Sequence, residues 1–279
     1  MPGLLPAHIK SLILDMDGVL WKADAPIGDL PAIFTRLRER GLKVAFATNN
    51  GTLTPDQYVD RLAGFGVIVE PRQVVTSALV VAELLMRRLA LTPSSFIDVR
   101  ERGEGVRAKV FAIGGEGVMT ALREKGFTLL SVEEAEKAKA VVVGIDRQIN
   151  FQKMSEAALL VRRGVPFYAT NPDKTFPTPR GEIPGAGAWI SVIVTATGIE
   201  PIYAGKPAPY LLELARERLG TAKEETLVVG DRLETDIAGG QIAGCPVAVV
   251  LSGVSTRQQA EAWRPVVDII AEDLYTLVM

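Results

Sequence analysis

The stretch Ser11–Trp21, SLILDMDGVLW, places two carboxylates directly after a short apolar run. A run such as Leu12–Leu14 is typical of a strand that is covered on both faces, as in a parallel sheet. Asp15 and Asp17 lie two residues apart, and Gly18 permits a tight turn in which both side chains approach one ligand. Crowded carboxylates repel each other unless a cation lies between them. The stretch therefore indicates a buried strand that ends at a charged site.

The composition of the 279 residues excludes several classes of function. The chain is 48% apolar and 23% charged, and its formal net charge is −2. The charges form no long block of one sign, so there is no footprint for nucleic acid or an anionic membrane. Cys245 is the only cysteine, which excludes an intrachain disulfide and fits a reducing compartment. His8 is the only histidine, which argues against a histidine-rich metal site or a Ser-His-Asp triad.

The N-terminal sequence gives no sign of a membrane or export signal. MPGLLPAHIK lacks a basic segment followed by a long apolar stretch, and no uninterrupted apolar run reaches the ~18 residues of a membrane span. We therefore expect a cytoplasmic protein that acts on a small molecule, with neither nucleic acid nor a membrane as its partner.

Short apolar runs alternate with segments of helical period along most of the chain. This alternation predicts βαβ units, hence an α/β fold with a doubly wound, mostly parallel sheet. The predicted strands are residues 11–14, 43–47, 109–113, 140–144, 165–169, 226–230 and 246–251. The predicted helices are residues 29–40, 54–64, 77–90, 116–125, 151–163, 207–219 and 256–263.

Two stretches interrupt this pattern and suggest domain boundaries. Residues 91–108 are polar and weakly periodic, and residues 171–187 are so rich in proline and glycine that no regular element is expected there. Long loops of this kind are more often functional or interdomain than idle. The sequence predicts a core of residues 1–78 and 185–279, with residues 79–184 inserted as a cap domain.

Three further apolar segments end, like the first, in polar residues. They are VAFATNNGT (44–52), AGKPAP (204–209) and TLVVGDRLETDI (226–237). In open parallel sheets, ligands bind beyond the carboxyl ends of the strands, near the point where the strand order reverses. We therefore expect all four segments to contribute to one crevice.

The acidic residues of these segments predict a divalent metal. Asp231 and Asp236 add two carboxylates to Asp15 and Asp17, and such hard oxygen ligands suit Mg²⁺. Asp236 has an alternative interpretation, because a carboxylate in the first turn of a helix also interacts favourably with the helix dipole.

The remaining residues are typical of a phosphate site. Thr48 offers a hydroxyl, the turn Asn49–Gly51 offers amide N–H groups close to a helix start, and Lys206 offers a compact positive charge. Taken singly, the turn is open to a purely structural interpretation, and Lys206 to that of a surface lysine. Together with a metal, these donors suit a phosphoryl group in transfer.

The motifs DMDGVLW, TNN, GKP and GDRLETDI, in this order, resemble the four motifs of the haloacid dehalogenase (HAD) superfamily. IGGEGV, VVVGIDR, ATNPDKTFPT and PGAGA resemble its class IIA branch of 4-nitrophenylphosphatases, ribonucleotide monophosphatases and pyridoxal phosphatases. The resemblance covers nearly the whole chain. It implies a Rossmann-like core with an inserted α/β cap of the C2 type, through which a homodimer is possible.

The resemblance also implies a Mg²⁺-dependent phosphatase of a small phosphorylated metabolite. Asp15 would attack phosphorus to form an aspartyl-phosphate, and Asp17 would protonate the leaving oxygen and later deprotonate water. The metal would be held by Asp15, the backbone carbonyl of Asp17 and Asp231, with Asp236 in support through water or Lys206. The residues expected to hold the phosphoryl oxygens are Thr48, Asn49, Asn50 and Lys206.

The predicted cap carries the residues expected near the leaving group. Asn171 and Asp173 lie in a loop that reaches the active site in class IIA proteins, but Asx-Pro sequences also form structural turns, and both interpretations stay open. Trp21 is likewise either a packing residue or a contact of the leaving group. The cap has no histidine, which disfavours vitamin B6 phosphate. Sugar phosphate, phosphoglycolate, a nucleotide or 4-nitrophenyl phosphate remain as substrates.

Two other functions use the same aspartyl-phosphate. A phosphomutase or phosphotransferase would pass the phosphoryl group to a sugar faster than to water. A receiver-like regulatory module would keep its phosphoryl group for minutes or longer. A leaving-group acid at Asp17 and a cap argue against the regulatory module.

Overall fold

The computed structural model describes residues 4–90, 108–178 and 180–279, so the predicted boundary segment 91–108 lies almost entirely outside the described residues. The chain forms two compact units. The first comprises the described residues up to Thr48, together with Pro55–Thr76 and Gly205–Met279. The second comprises Asn49–Thr54 and the described residues of Ser77–Ala204.

Strands and helices alternate through most of the described chain, which confirms the predicted α/β class. The strands are β1 (Ser11–Leu14), β2 (Trp21–Lys22), β3 (Ala25–Pro26), β4 (Lys43–Thr48), β5 (Val74–Thr76), β6 (Lys109–Ile113), β7 (Thr128–Leu129), β8 (Ala140–Val143), β9 (Phe167–Ala169), β10 (Thr175–Thr178), β11 (Gly181–Pro184), β12 (Ile202–Tyr203), β13 (Thr226–Gly230), β14 (Val247–Val250) and β15 (Ile269–Ala271). The α-helices are α1 (Leu30–Glu39), α2 (Pro55–Gly64), α3 (Ser77–Ala90), α4 (Glu116–Glu124), α5 (Phe151–Arg162), α6 (Ala186–Thr197), α7 (Tyr210–Leu219), α8 (Ala238–Ile242), α9 (Arg257–Ala262) and α10 (Leu274–Val278). Among these helices, none combines the length and the apolar character that crossing a bilayer requires.

The first unit is built on a six-stranded sheet in the order β15-β14-β13-β1-β4-β5, in which all neighbouring strands are parallel. The chain leaves the central strand β1 in one direction, toward β4 and β5, and later returns to β13 on its other side. The strand order therefore reverses beside β1, as expected of a doubly wound sheet. Leu14 is opposite Val229 on β13 and Phe46 on β4, so these strands end at the same edge.

The second unit is built on a five-stranded sheet in the order β12-β9-β8-β6-β7, again with all neighbouring strands parallel. Helices α5 and α6 cover it and contribute to one apolar core. Side chains of that core include Phe111, Val141, Leu160, Phe167 and Ile190.

Residues 185–204 belong to the second unit, although the sequence-based division assigns them to the first. Ile202 on β12 pairs with Tyr168 on β9, and Ile190 and Ile193 of α6 are buried in the second core. The apolar pattern of this segment is equally compatible with burial in either unit. Only their pairing partners distinguish the two units.

The prediction that residues 171–187 contain no regular element is wrong, because β10 and β11 form an antiparallel hairpin there. Phe176 is opposite Ile183, and the Thr178 hydroxyl donates to the Gly181 carbonyl at 2.6 Å. A ribbon of two strands has two free edges, so proline is tolerated wherever its nitrogen faces away from the partner strand.

Candidate active site

Asp15 follows β1 at the centre of the first sheet. Its backbone N–H donates to the Val229 carbonyl at 2.8 Å, which continues the pairing of β1 with β13 past the end of the strand. Its side chain is 12% exposed, so the carboxylate is both anchored and partly open. The sheet therefore presents this carboxylate at its carboxyl edge.

Lys206 connects three elements of the first unit through one buried ammonium group. Its Nζ lies 2.5 Å from Asp15 Oδ1 and 2.6 Å from Asp236 Oδ1, and it donates to the Ala47 carbonyl of β4 at 2.8 Å. Burial lowers the pKa of Lys206, but Asp15 and Asp236 raise it to a value above that of an ordinary lysine. The side chain is therefore a fixed positive charge.

Asp15, Asp231 and Asp236 form a cluster in which the ligand atoms all lie within 4.8 Å of one another. Burial, then the neighbouring Asp236, raises the pKa of Asp231 to about 7. Burial also raises the pKa of Asp15 well above its ordinary value, although Lys206 opposes this. One lysine cannot balance three carboxylates, and hard oxygen donors are the ligands that Mg²⁺ prefers. The cluster fits a divalent cation.

Backbone amides hold the two acidic side chains that follow β13. The Val254 N–H donates to Asp231 Oδ2 at 2.9 Å, and the Arg232 N–H donates to Asp236 Oδ2 at 3.0 Å. Asp236 lies in a π-helical turn, Leu233–Ile237, and its other oxygen accepts from Lys206. With both oxygens engaged, Asp236 is better placed to support Lys206 than to bind a metal directly.

Glycines make room for these carboxylates. A Cβ at Gly253 would lie 2.0 Å from Asp231 Oδ2, and one at Gly18 would lie 2.5 Å from the same atom. Gly18 also has a φ of +85°, a backbone conformation that residues other than glycine rarely adopt. At Gly230, a Cβ would lie 2.1 Å from the Cβ of Asp236. The cluster is therefore packed against backbone on several sides.

Asp17 lies in a tight turn beside the cluster, and its carboxylate is not one of the three that form it. The Met16 carbonyl accepts from the Leu20 N–H at 2.8 Å, and the Gly18 N–H donates to the Trp21 carbonyl at 2.8 Å. The Trp21 indole Nε1–H donates to Asp17 Oδ1 at 2.8 Å, and Trp21 is fully buried. Of the two interpretations left open for Trp21, this structure supports a packing residue that contacts Asp17.

Thr48 ends β4 and is 2% exposed. A side-chain hydrogen bond joins it to Tyr58, whose pKa is raised by burial and then by the charge of Asp17. Sequence reasoning missed Tyr58. The only available signal was its place on the buried face of α2, four residues before Leu62, and that pattern does not distinguish a core tyrosine from one that contacts a site.

Asn49, Asn171 and Asp173 are joined within the second unit. The Asn49 side-chain amide lies 3.2 and 3.3 Å from the two Asp173 oxygens, and the Asn171 amide donates to the Asn49 carbonyl at 2.7 Å. Asn171 Oδ1 accepts from the Asp173 N–H at 3.1 Å. These bonds favour the structural-turn interpretation of Asn171. The contact of Asp173 with a leaving group stays a prediction.

Asn50 shapes the loop that follows Asn49. Its Oδ1 accepts from the Thr52 N–H at 3.1 Å and from the Thr52 hydroxyl at 2.6 Å, which is the pattern of an Asx turn. Its predicted contact with phosphate stays a prediction, as does that of Asn49.

Comparison with known families places this geometry in context. The sequence profile of haloacid dehalogenase-like hydrolases matches residues 12–128, and a second, HAD-hydrolase-like profile matches residues 203–277. The chain is 35% identical over 252 residues to the acid sugar phosphatase of Staphylococcus aureus, covering 90% of each protein.

Solved structures show the same likeness over both units. The p-nitrophenyl phosphatase from Archaeoglobus fulgidus is 32% identical with a TM-score of 0.84, over 97% of this chain and 98% of that one. A glycerol phosphate phosphatase from Mycobacterium tuberculosis, solved with magnesium, is 32% identical with a TM-score of 0.86, over 100% of this chain and 79% of that one. The protein thus belongs to the HAD superfamily, in its class IIA branch, and is a phosphoric monoester hydrolase.

Proposed function

We propose that this phosphatase hydrolyses a small phosphate monoester with Mg²⁺, through an aspartyl-phosphate on Asp15. The observation that carries the proposal is the position of Asp15 at the carboxyl edge of the sheet, where it contacts the Lys206 ammonium and lies within 4.8 Å of the buried carboxylates of Asp231 and Asp236. A carboxylate beside a fixed positive charge is well placed to attack an anionic phosphoryl group.

The reaction takes two steps. First, Asp15 Oδ2 forms a bond to phosphorus, the bond from phosphorus to the ester oxygen breaks, and Asp17 gives a proton to that oxygen. Second, water attacks phosphorus, Asp17 accepts a proton from it, and the bond between phosphorus and Asp15 breaks. The products are an alcohol and inorganic phosphate, and the enzyme returns to its first state.

Charged and polar donors of the first unit would hold the phosphoryl oxygens. Lys206 supplies the positive charge, and the Thr48 hydroxyl, fixed by its bond with Tyr58, supplies a further contact. Preorganised donors of this kind act where negative charge develops in the transition state.

The metal would be held by Asp15, the backbone carbonyl of Asp17 and Asp231, with Asp236 in support through Lys206. When bound, Mg²⁺ supplies positive charge that neutralises the phosphoryl oxygens and lowers the repulsion against an attacking carboxylate. The similar glycerol phosphate phosphatase was solved with magnesium, which supports the choice of metal.

Small phosphorylated polyols are the substrates that the relatives favour, since two of them are named as sugar and glycerol phosphate phosphatases. Phosphoglycolate, nucleotides and 4-nitrophenyl phosphate remain as further candidates. The test is release of inorganic phosphate by the purified protein with Mg²⁺ across such a panel, ranked by kcat/KM. An Asp15→Asn variant that releases as much phosphate as the native protein would contradict the proposal.

The same panel separates hydrolysis from transfer. We expect phosphate to go to water; faster transfer to an added sugar would instead indicate a phosphomutase or phosphotransferase. We also keep two predictions on cellular context, a cytoplasmic location and a homodimer through the second unit. Cell fractionation and light scattering of the purified protein test them.

A further inference from the structure

The hydrogen bond from Trp21 to Asp17 joins a fully buried ring to a half-buried carboxylate. The indole Nε1 lies 2.8 Å from Asp17 Oδ1, and Trp21 is 0% exposed. An indole N–H only donates, so it fixes one carboxylate oxygen as an acceptor. The other oxygen, Oδ2, is then the one that can exchange a proton with a substrate.

The Trp21 ring is itself held on two sides. The Arg61 guanidinium lies 4.4 Å from its centroid, a cation–π distance, and the Phe65 ring packs against it with centroids 5.8 Å apart at 32°. Both residues come from α2 or the residue that follows it. The indole is therefore held between a cation and a second aromatic ring.

Arg61 also grips the hairpin that carries Trp21. Its guanidinium donates to the Ala23 carbonyl and lies 3.7 Å from Asp24 Oδ1, and both residues form the turn between β2 and β3. The Arg61 side chain thus joins α2 both to this turn and to the Trp21 ring. Because β2 begins at Trp21, the same contacts set where the indole N–H lies.

We propose that Trp21 is a positioning residue for Asp17, with Arg61 holding it in place. The proposal rests on the function proposed above, since it concerns the residue that gives a proton to the leaving oxygen. Proton donation depends on the direction in which the acid points, and a small misplacement of a catalytic group costs up to about 10²-fold in rate. Loss of the N–H should therefore act on leaving-group protonation and spare the other steps.

Two esters with different leaving groups separate this role from a merely structural one. A general loss of structure would lower kcat/KM for both esters alike, whereas loss of leaving-group protonation would lower it for only one. 4-Nitrophenolate departs without a proton, whereas the alkoxide of glycerol 3-phosphate needs one. For Trp21→Phe, which keeps an aromatic ring between Arg61 and Phe65, we expect kcat/KM for glycerol 3-phosphate to fall about 10- to 100-fold. With 4-nitrophenyl phosphate, kcat/KM should change by less than about threefold. This ratio reports steps up to formation of the aspartyl-phosphate, so slow hydrolysis of that intermediate does not disturb it.

Trp263→Phe is the matched control. It also removes an indole N–H that donates to a side-chain oxygen, that of Gln241 at 3.1 Å, far along the chain from Asp17. We expect unchanged kinetics with both esters. A second variant, Arg61→Met, leaves the indole N–H in place and loosens the ring. Its kcat/KM should fall by a smaller factor than that of Trp21→Phe, and again more with glycerol 3-phosphate than with 4-nitrophenyl phosphate.

A double variant tests whether Trp21 acts through Asp17. Once Asp17→Asn has removed the acid, adding Trp21→Phe should produce no further loss. Equal losses with both esters in Trp21→Phe, or additive losses in the double variant, would overturn the proposal. If the native protein hydrolyses no ester of the panel described above, the proposed function fails instead, so the two failures are distinguishable. Should Trp21→Phe not fold, Arg61→Met is the deciding variant. An equal fall in its kcat/KM with both esters would overturn the inference.

Discussion

Lys206 and Asp236 form an ion pair of 2.6 Å in which each side chain is only 2% exposed. The same ammonium contacts Asp15, so the proposed nucleophile Asp15 and the carboxylate of Asp236 share one counter-charge. Removing one partner of a buried pair is costly because the other charge stays buried without compensation. This relationship ties the stability of the first unit to its chemistry.

Replacing Lys206 by Met should therefore damage both properties. We expect the free energy of unfolding to fall by about 3–5 kcal/mol, since two carboxylates lose their counter-charge. Phosphatase kcat should fall at least about 100-fold, as for other groups that stabilise transition-state charge. Urea unfolding of the metal-free protein and steady-state kinetics measure the two effects.

Lys153→Met is the control for Lys206→Met. Lys153 pairs with Asp146 at 2.7 Å, but its side chain is 26% exposed, so its loss should cost no more than about 1 kcal/mol. Equal costs for the two lysines would show that the Lys206 pair is not special.

Gly253→Ala should weaken magnesium binding without unfolding the protein. The new Cβ would lie 2.0 Å from Asp231 Oδ2, so the carboxylate has to move from its place. Disturbing the surroundings of a ligand typically costs 10- to 100-fold in metal affinity, and we expect about tenfold or more. Calorimetric titration with Mg²⁺ measures it. Gly64→Ala is the control, because a Cβ there meets nothing within 4 Å; the same affinity in both variants would contradict the packing argument.

The raised pKa of Asp231 predicts a pH-dependent effect of magnesium on stability. Its pKa is about 7 in the folded protein against 3.8 for an ordinary aspartate, so the folded state binds more protons between these values. Stability of the metal-free protein should then fall as pH rises from about 4 to 7, and Asp15 contributes with the same sign. Mg²⁺ needs the ionised carboxylates, so it should raise Tm more at about pH 8 than at about pH 5.

Asp231→Asn should make the pH-dependent fall in metal-free stability shallower. It should also remove most of the magnesium-induced rise in Tm. Thermal unfolding of the native protein and of Asp231→Asn over a series of pH values, with and without Mg²⁺, measures these effects. If Mg²⁺ raised the Tm of the native protein equally at about pH 5 and about pH 8, that would be evidence against a cation at this cluster.

Tyr58→Phe tests the support of Thr48. Loss of one hydrogen bond is worth about 1 kcal/mol, or about fivefold, so inhibition by inorganic phosphate should weaken by that factor while the fold is retained. Tyr275→Phe, at an exposed position, should leave the inhibition constant unchanged. If both variants bind phosphate like the native protein, Tyr58 is only a core residue.

Local pattern was sufficient to predict the framework of the first unit. The buried strands β1, β13 and β14 read as apolar runs, and the acidic residues that follow β1 and β13 meet because parallel strands end at one edge. The predicted bounds of strands 11–14, 109–113 and 226–230 agree with the structure.

Which partner a segment pairs or packs with was not predictable in the same way. The hairpin of β10 and β11 depends on which backbone groups of a proline-rich stretch face each other, and the apolar helix α6 could have joined either core. The bonds from Trp21 to Asp17 and from Tyr58 to Thr48 depend on side-chain orientation. Neither composition nor periodicity carries that information.

The central claim is that Asp15 becomes covalently phosphorylated. The most direct measurement is rapid acid quenching of the protein during turnover of 4-nitrophenyl phosphate, followed by peptide mass spectrometry. We predict one added phosphoryl group on the peptide that contains Asp15 in the native protein, more of it in Asp17→Asn, where hydrolysis is slowed, and none in Asp15→Asn. Phosphorylation that persists in Asp15→Asn, or equal loss of the adduct in Asp15→Asn and Asp17→Asn, would contradict the account.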